Sequence, residues 1–185
     1  MDLDMEMILT FLSGTQPPVS SLVRNSLASL FAFRLFTIIV TAETVWRNDL
    51  QDLFCNSTHT GCRHQCYNNF STLSPFTLFT LQTIFITTLL FIVKFLQRQA
   101  WGRIANGIFN MFSRILIEGF FLLLWHLIHP GLLRQSAFKC NTYPCEETVI
   151  CNMRGNREKN IFSVIMYLCS FACIVICANE IVFSI

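Results

Sequence analysis

The stretch Leu73–Val93 reads LSPFTLFTLQTIFITTLLFIV and lies within a charge-free interval between Arg63 and Lys94. At 1.5 Å per residue, about 20 mostly apolar residues cross a hydrocarbon core roughly 30 Å thick, so this stretch reads as a transmembrane helix. Working outward, three more windows qualify: 22–42, interrupted by Arg34; 104–128, holding Arg114 and Glu118; and 161–185, holding Glu180. The composition of the whole 185-residue chain agrees. It is 53% hydrophobic with mean hydropathy +0.51 and only 13% charged, against roughly 25% in ordinary soluble domains. So few charges cannot coat a water-facing surface, and 19 Phe exclude a disordered chain. A net charge of +2 leaves no basic excess for nucleic acid. Long apolar runs, rather than short alternating ones, predict helices and not a barrel.

Four spans divide the chain into an N-terminal segment 1–21, a long loop 43–72, a short connection 94–103 and a second long loop 129–160. Lys94, Arg98 and Arg103, with no acid among them, favour the cytoplasm for the short connection. The second long loop also holds five Lys and Arg, so charge alone does not settle the sides. Cysteines do, because Cys55, Cys62 and Cys66 fall in one long loop and Cys140, Cys145 and Cys151 in the other, and disulfides persist in oxidising compartments. The sequons at Asn56 and Asn69 lie in the first of these loops and agree. Both termini are then expected in the cytoplasm. The acidic start Met1-Asp2-Leu3-Asp4 is unlike a cleaved signal peptide. An N-terminal helix fits Asp4 to Ser13, ended by Pro17-Pro18. The five residues after Glu180 lead to the expectation of no cytoplasmic tail or domain.

Parity constrains the cysteines. Three per loop cannot all pair within their loops, so at least one bridge joins the two, with one or three cross-loop bridges both open. A bridge closing roughly 75 to 95 residues contributes about 4 to 5 kcal/mol in the chain-entropy model. A zinc site from Cys55, His59, Cys62 and His64 lacks a Cys-x2-Cys pair and sits in the wrong compartment. Cys169, Cys173 and Cys177 recur every fourth residue as a stripe of small residues suited to packing between helices.

Arg34, Arg114, Glu118 and Glu180 within spans require protein or water partners, since a centred Arg costs roughly 2.5 to 3.5 kcal/mol on insertion scales. Arg114 and Glu118, four apart on one face, can pair, and all four are expected to act as polar glue between helices and subunits. His126 and His129 have no nucleophile or base beside them, so no enzyme, cofactor or metal is expected.

These residues resemble the connexin family of gap-junction subunits over nearly the whole chain. Phe33-Arg34-Leu35 and Ala42-Glu43-Thr44-Val45-Trp46 resemble its first span and exit. Cys55-Asn56, Gly61-Cys62, Cys66-Tyr67 and Leu81-Gln82 follow its first loop and second span. Arg114 with Glu118, then Pro144-Cys145, Val149, Cys151, Glu158-Lys159 and Ile161-Phe162, follow its third span, second loop and fourth span. The resemblance implies an all-α membrane protein: a four-transmembrane-helix bundle with an N-terminal pore helix and two disulfide-stapled extracellular loops. It implies the pairs Cys55–Cys151, Cys62–Cys145 and Cys66–Cys140. It implies homo-hexamers, or hetero-hexamers with other connexins, in the lipid of the plasma membrane, docking with a hemichannel of the adjacent cell at gap junctions. Asp2, Asp4, Glu6, Glu43, Asp49 and Asp52 then lie along or near the pore and favour cations, opposed locally by Arg24 and Arg47.

Several positions depart from the family pattern. The second span has no central proline. The cytoplasmic loop is short. The docking tips carry His59-Thr60 and Glu146-Glu147-Thr148, close to Asn56, where the family has other residues. An undocked hemichannel is therefore the alternative reading. A tetraspan adhesion or barrier protein is the alternative of another class, although the tryptophan-rich loop pattern of claudins is absent.

Overall fold

A computed structural model of the chain describes residues 2–15, 19–47, 50–56, 60–70, 73–97, 103–129, 135–143, 145 and 147–184. In chain order the elements are α1 (Asp2–Ser13), α2 (Ser21–Thr44), β1 (Leu53–Cys55), α3 (Thr60–Phe70), α4 (Pro75–Gln97), α5 (Arg103–Ile128), β2 (Ala137–Cys140), β3 (Val149–Met153) and α6 (Asn156–Ser184). Helices α2, α4, α5 and α6 are long and apolar enough to cross a membrane.

Local chemistry explains how these helices start and why their threonines are tolerated. Helix α4 opens with Pro75 at its first position, where a missing N–H is harmless. The Ser74 hydroxyl accepts the Thr77 N–H at 3.2 Å, capping the helix. Thr83, Thr87 and Thr88 each donate their hydroxyl to the carbonyl four residues back, at 2.7 to 2.9 Å. Thr37, Thr41 and Thr44 do the same on α2. No threonine in these six positions therefore brings an unmet hydroxyl donor into lipid.

Helix α5 packs against both α4 and α6, and α2 lies on α6. The bundle turns its span charges inward and presents large apolar side chains outward. Arg34, Gln82, Arg114 and Glu118 are buried, while Phe36, Phe85, Phe120 and Phe171 are exposed. That inversion suits a hydrocarbon solvent, in which apolar side chains cost nothing at the surface and charges must turn inward. Most of the remaining interior is apolar. Toward the strands it is Leu78, Phe79, Phe121, Trp125, Phe162 and Met166, closed by Trp46 stacked on Phe76 at 5.4 Å. Toward α1 it is Leu27, Met111, Cys173 and Cys177, with Phe31, Ile86 and Leu90 beside them. The small side chains of Cys173 and Cys177 sit in that helix contact and are fully or nearly buried.

The loops depart from the all-α expectation. β1, β3 and β2 form an antiparallel three-stranded sheet in that order, with α3 packed beside β1. Strands of three to five residues are too short to show an alternation in sequence. β2 and β3 pair within one loop, but β1 comes from the other, two spans away, and only the closed bundle brings it to β3.

Candidate functional site

Three features organise the molecule: a polar knot at the bundle centre, a seat for α1 and a cross-linked cap.

The knot takes one residue from each span. Arg34 on α2 donates through Nη1 to Glu118 Oε1 at 2.8 Å and through Nη2 to Oε2 at 3.2 Å. Gln82 on α4 donates to Glu118 Oε2. The Ser170 hydroxyl on α6 accepts from Arg34 Nη2 and from Gln82 Nε2, each at 3.1 Å. The four are at most 4% exposed, so the knot carries one full ion pair and no water-facing charge. A bidentate, multiply hydrogen-bonded pair offsets its own desolvation, whereas half of one would not. Gln82 and Ser170 were not singled out from sequence as partners of the charges. A glutamine in the middle of a charge-free span was the available signal.

The i,i+4 pairing open to Arg114 and Glu118 does not form. They share a face of α5, but Glu118 turns to Arg34 while Arg114 reaches the end of α1. Arg114 Nη2 donates to the carbonyls of Leu12 at 3.2 Å and Ser13 at 2.9 Å, and Asn110 adds a 3.3 Å bond to Ser13. Those carbonyls are the unsatisfied negative end of α1, and the buried Arg114 guanidinium supplies the donor that they need. The chain leaves this seat through Gly14, at φ +67°, with its N–H bonded to Thr10 O at 3.0 Å. Along α1, Glu6 pairs with Arg24 of α2 at 2.8 Å, and Phe11 meets Phe91 of α4 edge-on. Met5, Met7 and Ile8 remain exposed. Glu180 on α6 accepts the Ser20 N–H at 3.1 Å, placing a carboxylate at the positive start of α2.

The cap is closed by three cross-loop disulfides: Cys55–Cys151, Cys62–Cys145 and Cys66–Cys140. Cys55 faces Cys151 directly across β1 and β3. Around the bridges lie Leu53, Val149 and Met153, with Phe70 stacked on Phe138 at 3.9 Å. So small a core needs covalent staples. The sulfurs of Cys62, Cys66 and Cys145 gather within 4.8 Å, but each is spent in a bridge and offers no thiolate to a metal. Cys55 and Cys62, two of the four residues considered for zinc, are likewise spent.

The acidic residues read as pore-facing scatter. Glu43 is exposed and 3.7 Å from Arg47, three residues past the end of α2. Asp52 is half-buried, and its carbonyl accepts the Arg154 N–H at 2.8 Å. Asp49 and the side chains of Asp2 and Asp4 lie outside the described residues. Of the loop tips, Asn56, Glu147 and Thr148 are exposed, while His59, Glu146 and the Thr60 side chain lie outside the described residues. Asn69 is exposed and donates to the Thr142 hydroxyl at 3.0 Å. Sequence reading passed over Tyr143, which is 92% exposed beside Thr142.

A four-span bundle knotted by buried charge and capped by a stapled sheet defines a multi-pass membrane protein with no catalytic constellation among its described residues. The connexin family model matches residues 4–103 and 98–185, and the chain belongs to the connexin family. Its class is therefore that of non-catalytic, gap-junction-type channel proteins of the plasma membrane.

Proposed function

We propose that six copies of this chain, alone or mixed with other connexins, form a hemichannel that docks with one in the adjacent cell. Ions and small molecules then pass directly between the cytoplasms, with cations preferred. The observation that carries this reading is the cap. All three bridges join the two long loops, which makes two flexible segments one rigid surface fit for end-to-end docking. In this reading the cap is extracellular, both termini are cytoplasmic, and α1 folds at the pore mouth. The acids at Asp2, Asp4, Glu6, Glu43, Asp49 and Asp52 repeat as rings in a hexamer and concentrate cations. Arg24 beside Glu6 and Arg47 beside Glu43 weaken two of those rings. An undocked hemichannel is the second reading, favoured by the exposure of both sequon asparagines, Asn56 and Asn69, where a glycan would stand on the cap.

Paired-cell recording in communication-deficient cells expressing only this chain tests the proposal. Junctional current that disappears in Cys62→Ser supports docking. Current in single cells without junctional current selects the undocked hemichannel. Silence in both, with the protein at the surface, overturns the homomeric channel. Anion-preferring reversal potentials under a KCl gradient overturn the selectivity.

A further inference from the structure

A groove of about 540 Å³ opens where α6 emerges from the bundle toward the cap. Its wall changes character along the helix. Ser136, Arg157 and Asn160 line the end next to the cap, and Ile161, Val164 and Ile165 line the part that runs into the span. Among the described lining residues Arg157 carries the only charge, and no carboxylate is within ion-pairing distance of it among the described residues. Residues 157, 161, 164 and 168 share one side of a 3.6-residue helix, so the apolar floor continues into the exposed Leu168.

We infer that this groove binds one glycerophospholipid of the outer leaflet. Its phosphate sits against the Arg157 guanidinium and the Asn160 side chain, and one acyl chain lies along Ile161, Val164 and Ile165. The match is one of charge and polarity by depth. The span containing α6 starts at Asn156, so Arg157 and Asn160 fall at headgroup level, where a phosphodiester is the abundant anion. The residues one and two turns deeper fall in hydrocarbon. A guanidinium suits a phosphate through paired N–H donors, and the volume lies within the usual range for ligand pockets. The inference rests on the proposed sidedness, with the cap outside.

The test uses the full chain purified into nanodiscs of phosphatidylcholine containing a trace of phosphatidylcholine with a diazirine on its acyl chain. Photolabelled sites are then mapped by mass spectrometry. Labelling is expected to be at least five-fold denser at Ile161, Val164 and Ile165 than at the equally apolar Phe171 and Val182. It should fall at least three-fold in Arg157→Gln and in Val164→Trp, which fills the floor. Uniform labelling of α6, unaffected by Arg157→Gln, overturns the site. So does disulfide cross-linking of Ile161→Cys to a neighbouring copy, which would mean that protein covers the groove. Sidedness is read separately, by modification of the exposed Lys139 with an impermeant amine reagent on intact cells. An unmodified Lys139 overturns the topology, whatever the lipid result.

Discussion

Arg34 and Glu118, 84 residues apart in sequence, meet at the centre of the bundle through two parallel N–H···O contacts of 2.8 and 3.2 Å. The pair joins the first span to the third, and Gln82 and Ser170 tie it to the second and fourth. Its effect is to fix the rotation of each span about its own axis, since apolar packing in lipid leaves such rotations weakly specified.

Removing one side of this pair strands the other. Arg34→Ala or Glu118→Ala is expected to cost about 3 to 5 kcal/mol, the usual penalty for an uncompensated buried charge. The double substitution Arg34→Met with Glu118→Leu should cost well under the sum of the two single changes, because no charge is left behind. Thermal unfolding of the purified chain in one detergent, followed for the singles and the double, measures this. Additive losses would show that the pair is not coupled.

Arg114 governs the seat of α1. In Arg114→Met the carbonyls of Leu12 and Ser13 lose their charged donor, a bond class with a net contribution of about 1.5 to 3 kcal/mol. Hydrogen exchange across residues 5–12 should quicken by roughly ten-fold or more, as 1.4 kcal/mol is one decade. Exchange in the cap should stay unchanged. Equal acceleration in both regions would mean global loosening and not release of α1.

Gly14 carries two separate constraints. Its φ of +67° disfavours any L side chain, by roughly 1 to 2 kcal/mol. A Cβ there would also fall 2.6 Å from Leu90 Cδ2 and 3.0 Å from Asn110 Nδ2. Gly14→Ala should therefore lower thermal stability, and adding Leu90→Ala should not restore it to the level of Leu90→Ala alone. Full restoration would assign the whole effect to the collision.

Cys62→Ser is expected to do more than delete one bridge. It frees the Cys145 thiol 3.6 Å from the sulfur of Cys66. The Cys145 thiolate can attack Cys66, forming Cys66–Cys145 and releasing Cys140 as the leaving thiolate. Disulfide mapping of Cys62→Ser should find Cys66–Cys145 alongside Cys66–Cys140. The double variant Cys62→Ser/Cys145→Ser should keep Cys66–Cys140 and Cys55–Cys151 with no exchanged pair, and lose about 2 to 5 kcal/mol for the missing bridge. Mapping that finds native pairing in both variants would refute the exchange.

What the sequence determined by itself was whatever depends on near neighbours and on composition. Leu73–Val93 had to be a span because no charge interrupts it. Arg34, Arg114, Glu118 and Glu180 had to turn inward because lipid solvates none of them. Three cysteines in each long loop had to link the loops, because odd numbers cannot pair internally. Each of these follows from hydropathy, from charge or from counting, and none needs a partner to be identified. The tertiary structure decided the partners. Glu118 had Arg114 one turn away and bonded instead to Arg34 on another helix, because α1 supplied Arg114 with carbonyls that nothing in its own helix announced. The strands of the cap were too short to signal themselves, and β1 joined β3 only when two spans and three bridges brought the two loops together. Glu180 found the start of α2 160 residues back along the chain. Hydropathy fixes which side of a helix is buried. Which of several buried polar groups meet is a property of distances, and distances exist only once the helices have packed.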